Sequence, residues 1–321
     1  MKWAKAFAPA TVSNVAVGFD LMGYPVPGVG DTATVWAQGA AGEVTVELEA
    51  GSRCEVPLDP ARNTAAVALR SMGAALGVKH GYGVRIKKGI PLGSGMGGSA
   101  ASAVAAVVAA NALLKKPLKP QLLIPFALDG EAAASGGRHP DNVVPSLLGG
   151  LRLCLQGVGD EGGGTWPSVK VPPRIRSVLV HPDLVVETKA ARSILKPQVF
   201  LTEHVRQSAL LAGFLTGCAT GDLSLISHSL VDLIIEPQRQ ALIPGFDLAK
   251  AAALKAGALG CSISGSGPSL FAWAVGDAAA KKVARAMVAV FESAGLECES
   301  WCAPVPPAGA RVVGRGKGVP K

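Results

Sequence analysis

Residues 90–100 read IPLGSGMGGSA, four glycines set between a proline and an alanine-rich run that continues SAASAVAAVVAANALL to residue 114. Taken literally, Gly93, Gly95 and Gly98 satisfy G-x-G-x-x-G. The dinucleotide reading of that pattern also needs a buried parallel strand before the loop and an acidic residue about 20 positions later for the ribose. Here the preceding segment is VRIKKG, amphipathic and basic, and the segment where the acid belongs is LKKPLKP. A Walker-type loop fits no better, because Ser99 stands where the lysine must be. A protein-kinase glycine loop lies in a β-hairpin, whereas this one opens a helix. What survives is the physics common to all three. Glycines without Cβ let the backbone wrap a ligand closely, and a helix starting near Ser99 offers unsatisfied N–H groups and a positive dipole end to an anion. The plain alternative is a tight turn with no ligand.

Working outward, 321 residues exceed the usual single domain, and 49% apolar with 17% charged residues supply a packed core. The Ala-rich run is too short to span a bilayer, and MKWAKAFAPA lacks the apolar core of a secretory signal. A soluble, cytoplasmic protein with no membrane partner is expected. Six cysteines are scattered without a C-x-x-C pair, which points to reduced thiols rather than a disulfide framework or zinc site. The net charge is +8. Four of the positive charges, Arg311, Arg315, Lys317 and Lys321, fall in the tail 306–321, read as a flexible, solvated end. Aromatics at 5% are too few for an interleaved basic stripe, so nucleic acid is not expected, and the basic balance suits small anionic ligands.

Alternation predicts strands at 32–37, 43–49 and 82–87. Asn63 can cap a helix that ends at Gly77. Helices follow at 99–114 and 121–135, then RHPDN as a loop, LRLCLQ as a strand and GVGDEGGGT (157–165) as a linker. Beyond it come a strand at 177–181, helices near 198–216, 222–235 and 247–256, a glycine-rich turn at 260–268, strand LFAWAV, a helix at 278–293 and ECESWCA as a last strand. Sheets and helices mix without regular βαβ repetition, so α+β in two halves is expected, divided as 1–160 and 161–305. Glu131 lies in the mostly apolar FALDGEAAASGG, where a carboxylate is costly without a partner. That makes it the metal candidate, with a solvated helix-surface residue as the alternative; neighbouring Asp129 is the better fit to the solvated role.

Three separated segments, APATVSNVAVGFDLMG (8–23), IPLGSGMGGSAAS (90–102) and GCSISGSGPSLF (260–271), resemble the three ordered motifs of the GHMP kinases. Within that family the chain most resembles the homoserine kinases, through DGEAAASGGRHPDNVVPSLLGG (129–150), ETKAARSIL (187–195) and IIEPQRQALIPGF (234–246). The similarity runs from about Ala8 to Val275. It implies a two-domain fold, an N-terminal ribosomal protein S5 domain 2-like unit and a C-terminal ferredoxin-like α/β sandwich. It also implies ATP, Mg²⁺ and L-homoserine as ligands, and homodimers as a family expectation. Two departures stand out from the family's P-x-x-x-G-L-G-S-S-A-A. Met96 replaces Leu, a volume-conserving swap, and Gly98 replaces the first serine, so one hydroxyl is lost.

The resemblance carries roles onto particular residues. Pro91, Gly93, Ser94, Gly95, Met96, Gly97, Gly98, Ser99 and Ala100 match the ATP-phosphate loop, and Asn63 matches a region near the adenine, compatible with its capping role. Ser99 and Glu131 match the Mg²⁺ pair. Arg192 and Arg239 match positions that bind the substrate carboxylate; alone, Arg192 reads as a surface helix charge. Asn14 and Asp20 match those that take the amino end and hydroxyl, though Asp20 by itself reads equally as a turn residue. His139 and Asn142 match polar residues of the same pocket, and Thr188 matches a position near the reacting hydroxyl, on the face of Arg192 if that segment is helical. Together Glu131, Ser99, Thr188 and Arg192 are the implied catalytic groups. The third motif is expected to pack its backbone, through Gly265 and Gly267, against the phosphate loop or substrate, a hairpin turn being the alternative. No residue stands out as general base, with His139 the weaker candidate.

Overall fold

The computed structural model describes residues 2–157, 164–305 and 308–318. The first half runs β1 (Lys2–Ser13), β2 (Met22–Ala40), β3 (Val44–Leu48), α1 (Thr64–Ala75), β4 (His80–Lys87), α2 (Gly98–Asn111), α3 (Ile124–Ser135), α4 (Pro140–Leu148), β5 (Leu151–Leu153) and β6 (Ser168–Val169). The second runs β7 (Ile175–Pro182), α5 (Thr188–Ser193), α6 (Leu201–Thr220), α7 (Leu223–Ser229), α8 (Glu236–Arg239), α9 (Phe246–Lys255), β8 (Gly260–Ile263), β9 (Leu270–Val275), α10 (Asp277–Ser293), β10 (Cys298–Pro304) and β11 (Arg311–Lys317). The α+β expectation holds: two sheets, ordered β11-β1-β2-β4-β3 with β5 and β6 attached to β2, and β10-β7-β9-β8.

In β1, Ala4, Ala6, Ala8, Ala10 and Val12 are fully buried at a spacing of two, so a row of small side chains faces the core. Against it lies α2, whose Ala and Val residues are buried except for the partly buried Val108, the pattern of a central helix rather than a surface one. Asn63 caps α1 as its sequence suggests, its Oδ1 accepting from the Ala65 and Ala66 amides. In the second half, Val178, Val180, Leu270 and Ala272 pack under Phe246 of α9 and Met287 and Phe291 of α10. The other face of that sheet joins the first core: Trp273 packs with tilted rings against Tyr24 and Phe214, and its Nε1 donates to Tyr24 Oη at 3.2 Å. Tyr24 Oη and Ser177 Oγ complete the junction at 2.8 Å.

Four expectations need correction. Residues 311–317 of the tail do not fray: they form β11, which pairs antiparallel with β1 from Lys2–Lys317 to Phe7–Arg311. Gly314 and Gly316 face inward over Trp3 while Arg311, Arg315 and Lys317 stay exposed, which is why the segment reads as a solvated charge run. Consequently the first sheet includes β6 and β11, beyond the boundary expected at residue 160; most of the linker expected at 157–165 lies outside the described residues. RHPDN is only partly loop, because α4 begins at Pro140. The helix expected over 222–235 stops at Ser229, since Asp232 accepts the amides of Ile234, Ile235 and Glu236 and starts α8 instead.

Candidate active site

The glycine-rich loop 93–99 crosses between β4 and α2, and neighbouring segments occupy its carbonyls one by one. Val186 N donates to Gly93 O, Ser269 N to Ser94 O, Ser264 Oγ to Gly95 O and Thr11 N to Met96 O. Gly93, Gly95 and Gly97 all take positive φ. A Cβ on Gly95 would lie 2.4 Å from Ser264 O, and one on Gly97 would lie 2.2 Å from Thr11 Oγ1. The third motif therefore packs its backbone on the loop. Helix α2 opens at Gly98 with no side-chain cap, so its first amides remain available to an anion. Ser94 Oγ is buried with no hydrogen-bond partner among the described residues, which fits a ligand-facing hydroxyl.

Behind the loop sits a buried ion pair that the sequence reading missed. Lys88 Nζ bonds Asp31 Oδ2, with side-chain exposures of 5% and 0%. The same ammonium donates to Gly98 O at 2.8 Å and to Ser102 Oγ at 3.1 Å. Asp31 in turn accepts from Ser102 Oγ and from the amides of Gly89 and Ile90. The network ties the end of β4 to the start of α2. A Cβ on Gly98 would come 3.3 Å from Lys88 Nζ, so the glycine that replaces the family serine sits directly over this ammonium. The lysine was in view in VRIKKG, but a segment that is merely amphipathic and basic does not show which of its lysines is buried.

The loop forms one wall of a cleft of about 680 Å³. Glu131, buried on α3, lines it together with Ser99, while Asp129 is tied to Ser71 and Arg138 in the solvated role expected of it. Among the described residues no three His, Cys, Asp or Glu side chains converge into a metal cage. One buried carboxylate and a hydroxyl beside a glycine loop that opens a helix would fit Mg²⁺, which takes one or two carboxylates and fills its shell with phosphate and water.

At the other end the cleft is densely charged. Arg192 donates to Asp20 through both terminal nitrogens, at 2.9 and 3.1 Å. Arg239, only 3% exposed, donates to the carbonyls of Ala191 and Gly265. Both guanidinium groups lie over the ring of Phe19, at 5.4 and 5.3 Å from its centroid. His139 Nδ1 stands 3.9 Å from Asp20, and burial, then the Arg192 charge, lowers its pKa despite Asp20. Asp141 is buried beside them; burial first, then the Asp20 charge, pushes its pKa up to about 7.

Nearly all the expected residues meet here: Asn14, Asp20, Asn63, Pro91, Gly93 to Ser99, Glu131, His139, Asn142, Thr188, Arg192 and Arg239 line the cleft. Ala100 does not; it is fully buried inside α2. Thr188 opens helix α5 one turn before Arg192, so the helical condition is met. Three amides expected at the ligands are engaged with protein. Asn63 Nδ2 donates to Pro57 O while its Oδ1 caps α1. Asn14 links Gly265 O to the Asp20 amide. Asn142 bridges Thr11 and Ser13 of β1. Asp141 and Phe19 were missed, although Asp141 lies inside the quoted RHPDN and Phe19 inside SNVAVGFD.

Comparison with known proteins agrees with this geometry. Residues 63–150 match the GHMP kinases N terminal domain and residues 214–293 the GHMP kinases C terminal model. The homoserine kinase of Xylella fastidiosa is 50% identical over 310 residues, 97% of this chain and 94% of that protein. That of Chloroherpeton thalassium is 39% identical over 98% of this chain and 100% of its own length. The crystal structure of homoserine kinase from Cytophaga hutchinsonii superposes with a TM-score of 0.91 at 39% identity, covering 97% of both chains. The L. major mevalonate kinase structure, at 16% identity and a TM-score of 0.68, shares the fold. The chain belongs to the GHMP kinase family.

Proposed function

We propose that this protein transfers the γ-phosphoryl group of ATP to the side-chain hydroxyl of L-homoserine, giving O-phospho-L-homoserine, a step of threonine biosynthesis in the cytoplasm. One observation carries the reading: a phosphate cradle shares a cleft with two arginines and two acids, the complement of a zwitterion. The names of the relatives, at up to 50% identity, point the same way.

In this reading the amides of Gly93 to Ser99 and the Ser94 hydroxyl hold the triphosphate, and Ser99 and Glu131 hold Mg²⁺. When bound, the ion neutralises charge developing on the phosphates. The arginine forks take the substrate carboxylate, and Asp20 and Asp141 take its ammonium. Asn14 and Asn142 act as positioning residues, the first holding Asp20 and the second holding β1 against the loop. Substrate entry then exchanges ions: the Asp20–Arg192 pair opens, and each partner receives the opposite charge of the zwitterion. The hydroxyl, beside Thr188, attacks the γ-phosphorus as the bond to the β-bridging oxygen breaks. The transition state is loose, so the hydroxyl proton departs late, to the transferred phosphoryl group or to solvent, and positioning supplies most of the acceleration. Transfer is direct, with no phosphoenzyme. His139, whose pKa burial and then the Arg192 charge lower, is the alternative proton acceptor.

Mevalonate is the competing acceptor. It has a carboxylate but no ammonium, so it would draw Arg192 away from Asp20 and leave the half-buried Asp20 and the buried Asp141 without a cation. ATP turnover with L-homoserine, mevalonate, galactose and L-threonine tests the assignment. Homoserine alone should be phosphorylated efficiently; no turnover with it overturns the proposal.

A further inference from the structure

We propose that Phe19 is the positioning residue that fixes the two carboxylate-binding arginines as one unit, an inference that rests on Arg192 and Arg239 taking the substrate carboxylate. The arginines arrive on separate short helices, α5 and α8, and carry like charge. Arg239 is anchored by two carbonyls, but Arg192 is not: its Nε is buried without a hydrogen-bond partner among the described residues, and its terminal nitrogens are held by Asp20. The incoming ammonium competes for that carboxylate. Once the pair opens, the Phe19 ring is the contact that still orients the Arg192 plane, and it contacts Arg239 at nearly the same distance. The negative face of the ring also offsets the repulsion between the cations.

The segment that presents Phe19 is built for rigidity. Asn14, Val15, Ala16 and Asp20 all have positive φ, a sparsely populated region for non-glycine residues that persists where surroundings over-determine it. Here Gly18 N donates to Asn14 O, Asp20 N to Asn14 Oδ1, and Asn14 Nδ2 to Gly265 O. Arg239 donates to that same Gly265 carbonyl. Ring and buried arginine are thus registered to one backbone atom, and Arg192 is registered to the ring.

The test is steady-state kinetics on Phe19→Leu and Phe19→Tyr, with Arg192→Ala alongside. Phe19→Leu should raise the KM for homoserine about five- to thirtyfold while kcat and the KM for ATP change by less than about twofold. Phe19→Tyr, which keeps the ring, should restore the homoserine KM. Inhibition by L-homoserine amide, which lacks the carboxylate, should be the same in Phe19→Leu as in the parent protein. An unchanged homoserine KM in Phe19→Leu overturns the proposal, as does a parallel rise in both KM values with a lowered thermal midpoint, the mark of a merely structural ring. If Arg192→Ala leaves the homoserine KM unaltered, the carboxylate reading itself fails and the role of Phe19 falls with it.

Discussion

Replacing Gly95 by Ala isolates the contact on which the proposed phosphate cradle depends. Gly95 has φ +71° and its added Cβ would meet Ser264 O at 2.4 Å and Gly267 O at 2.7 Å. Both neighbours are backbone, so relief requires the phosphate loop and the third motif to part by about 1 Å, ordinary contact beginning at 3.4 Å. A left-handed alanine costs about 1–2 kcal/mol in itself. A displacement of about 1 Å at a reacting group costs about a hundredfold in rate. Gly221 supplies the control: φ is +77° at the end of α6, with nothing within 4 Å of an added Cβ. Gly221→Ala should lose about 1–2 kcal/mol, a few degrees in thermal midpoint, with unchanged kinetics. Gly95→Ala should lose at least as much stability and, in addition, about a hundredfold in kcat/KM for ATP. Coupled-enzyme ADP assays and thermal melts on both variants decide it. If the two lose stability alike and both keep full kcat/KM, the loop does not grip phosphate through its packing on the third motif.

Three further outcomes follow from the same geometry. Glu131→Gln should fold normally and lose at least about a hundredfold in turnover at saturating ATP and Mg²⁺; near-normal turnover removes Glu131 from the metal role. A bound ammonium favours the ionised form of Asp141, so the KM for homoserine should fall as pH rises through about 7, with the KM for ATP flat. Since the folded pKa of about 7 lies above the ordinary 3.8, this group's contribution to the stability of the free protein should be greatest below pH about 4, decline as pH rises to about 7, and level off above. Asp141→Asn should flatten both profiles; pH profiles that keep their slope exclude the assignment. Lys88→Met should cost about 3–5 kcal/mol in denaturant unfolding by stranding the Asp31 charge, and Lys88→Met with Asp31→Asn should recover part of it; a single-variant cost below about 1 kcal/mol would show that the pair is not a scaffold for the loop.

Much of this was legible because glycine and capping residues carry their geometry in the sequence. Gly93, Gly95 and Gly97 mark left-handed positions, and Asn63 marks a helix start. The central helix shows as an unbroken Ala and Val run because those residues are nearly all buried. Strand β1 was missed since its core face is alanine, too weakly apolar to register as alternation. Strand β11 was missed since its inward positions include Gly314 and Gly316, whose role depends on Trp3 more than 300 residues away. At the site, single residues in motifs were visible but their pairings were not. Asp20 meets Arg192 across 172 positions, and Lys88 meets Asp31 across 57. Asp141 looked like one acid in a polar loop, and only its burial gives it a raised pKa.

The central claim is that the cleft joins a phosphate cradle to a zwitterion site and moves a phosphoryl group directly between them. Incubation of the purified protein with L-homoserine and MgATP, followed by ³¹P NMR of the products, tests it most directly. ADP and a phosphomonoester on the homoserine side chain should appear in equal amounts, with no ³²P retained on protein treated with γ-labelled ATP alone. ADP without phosphohomoserine, or label held on the protein, would contradict the account.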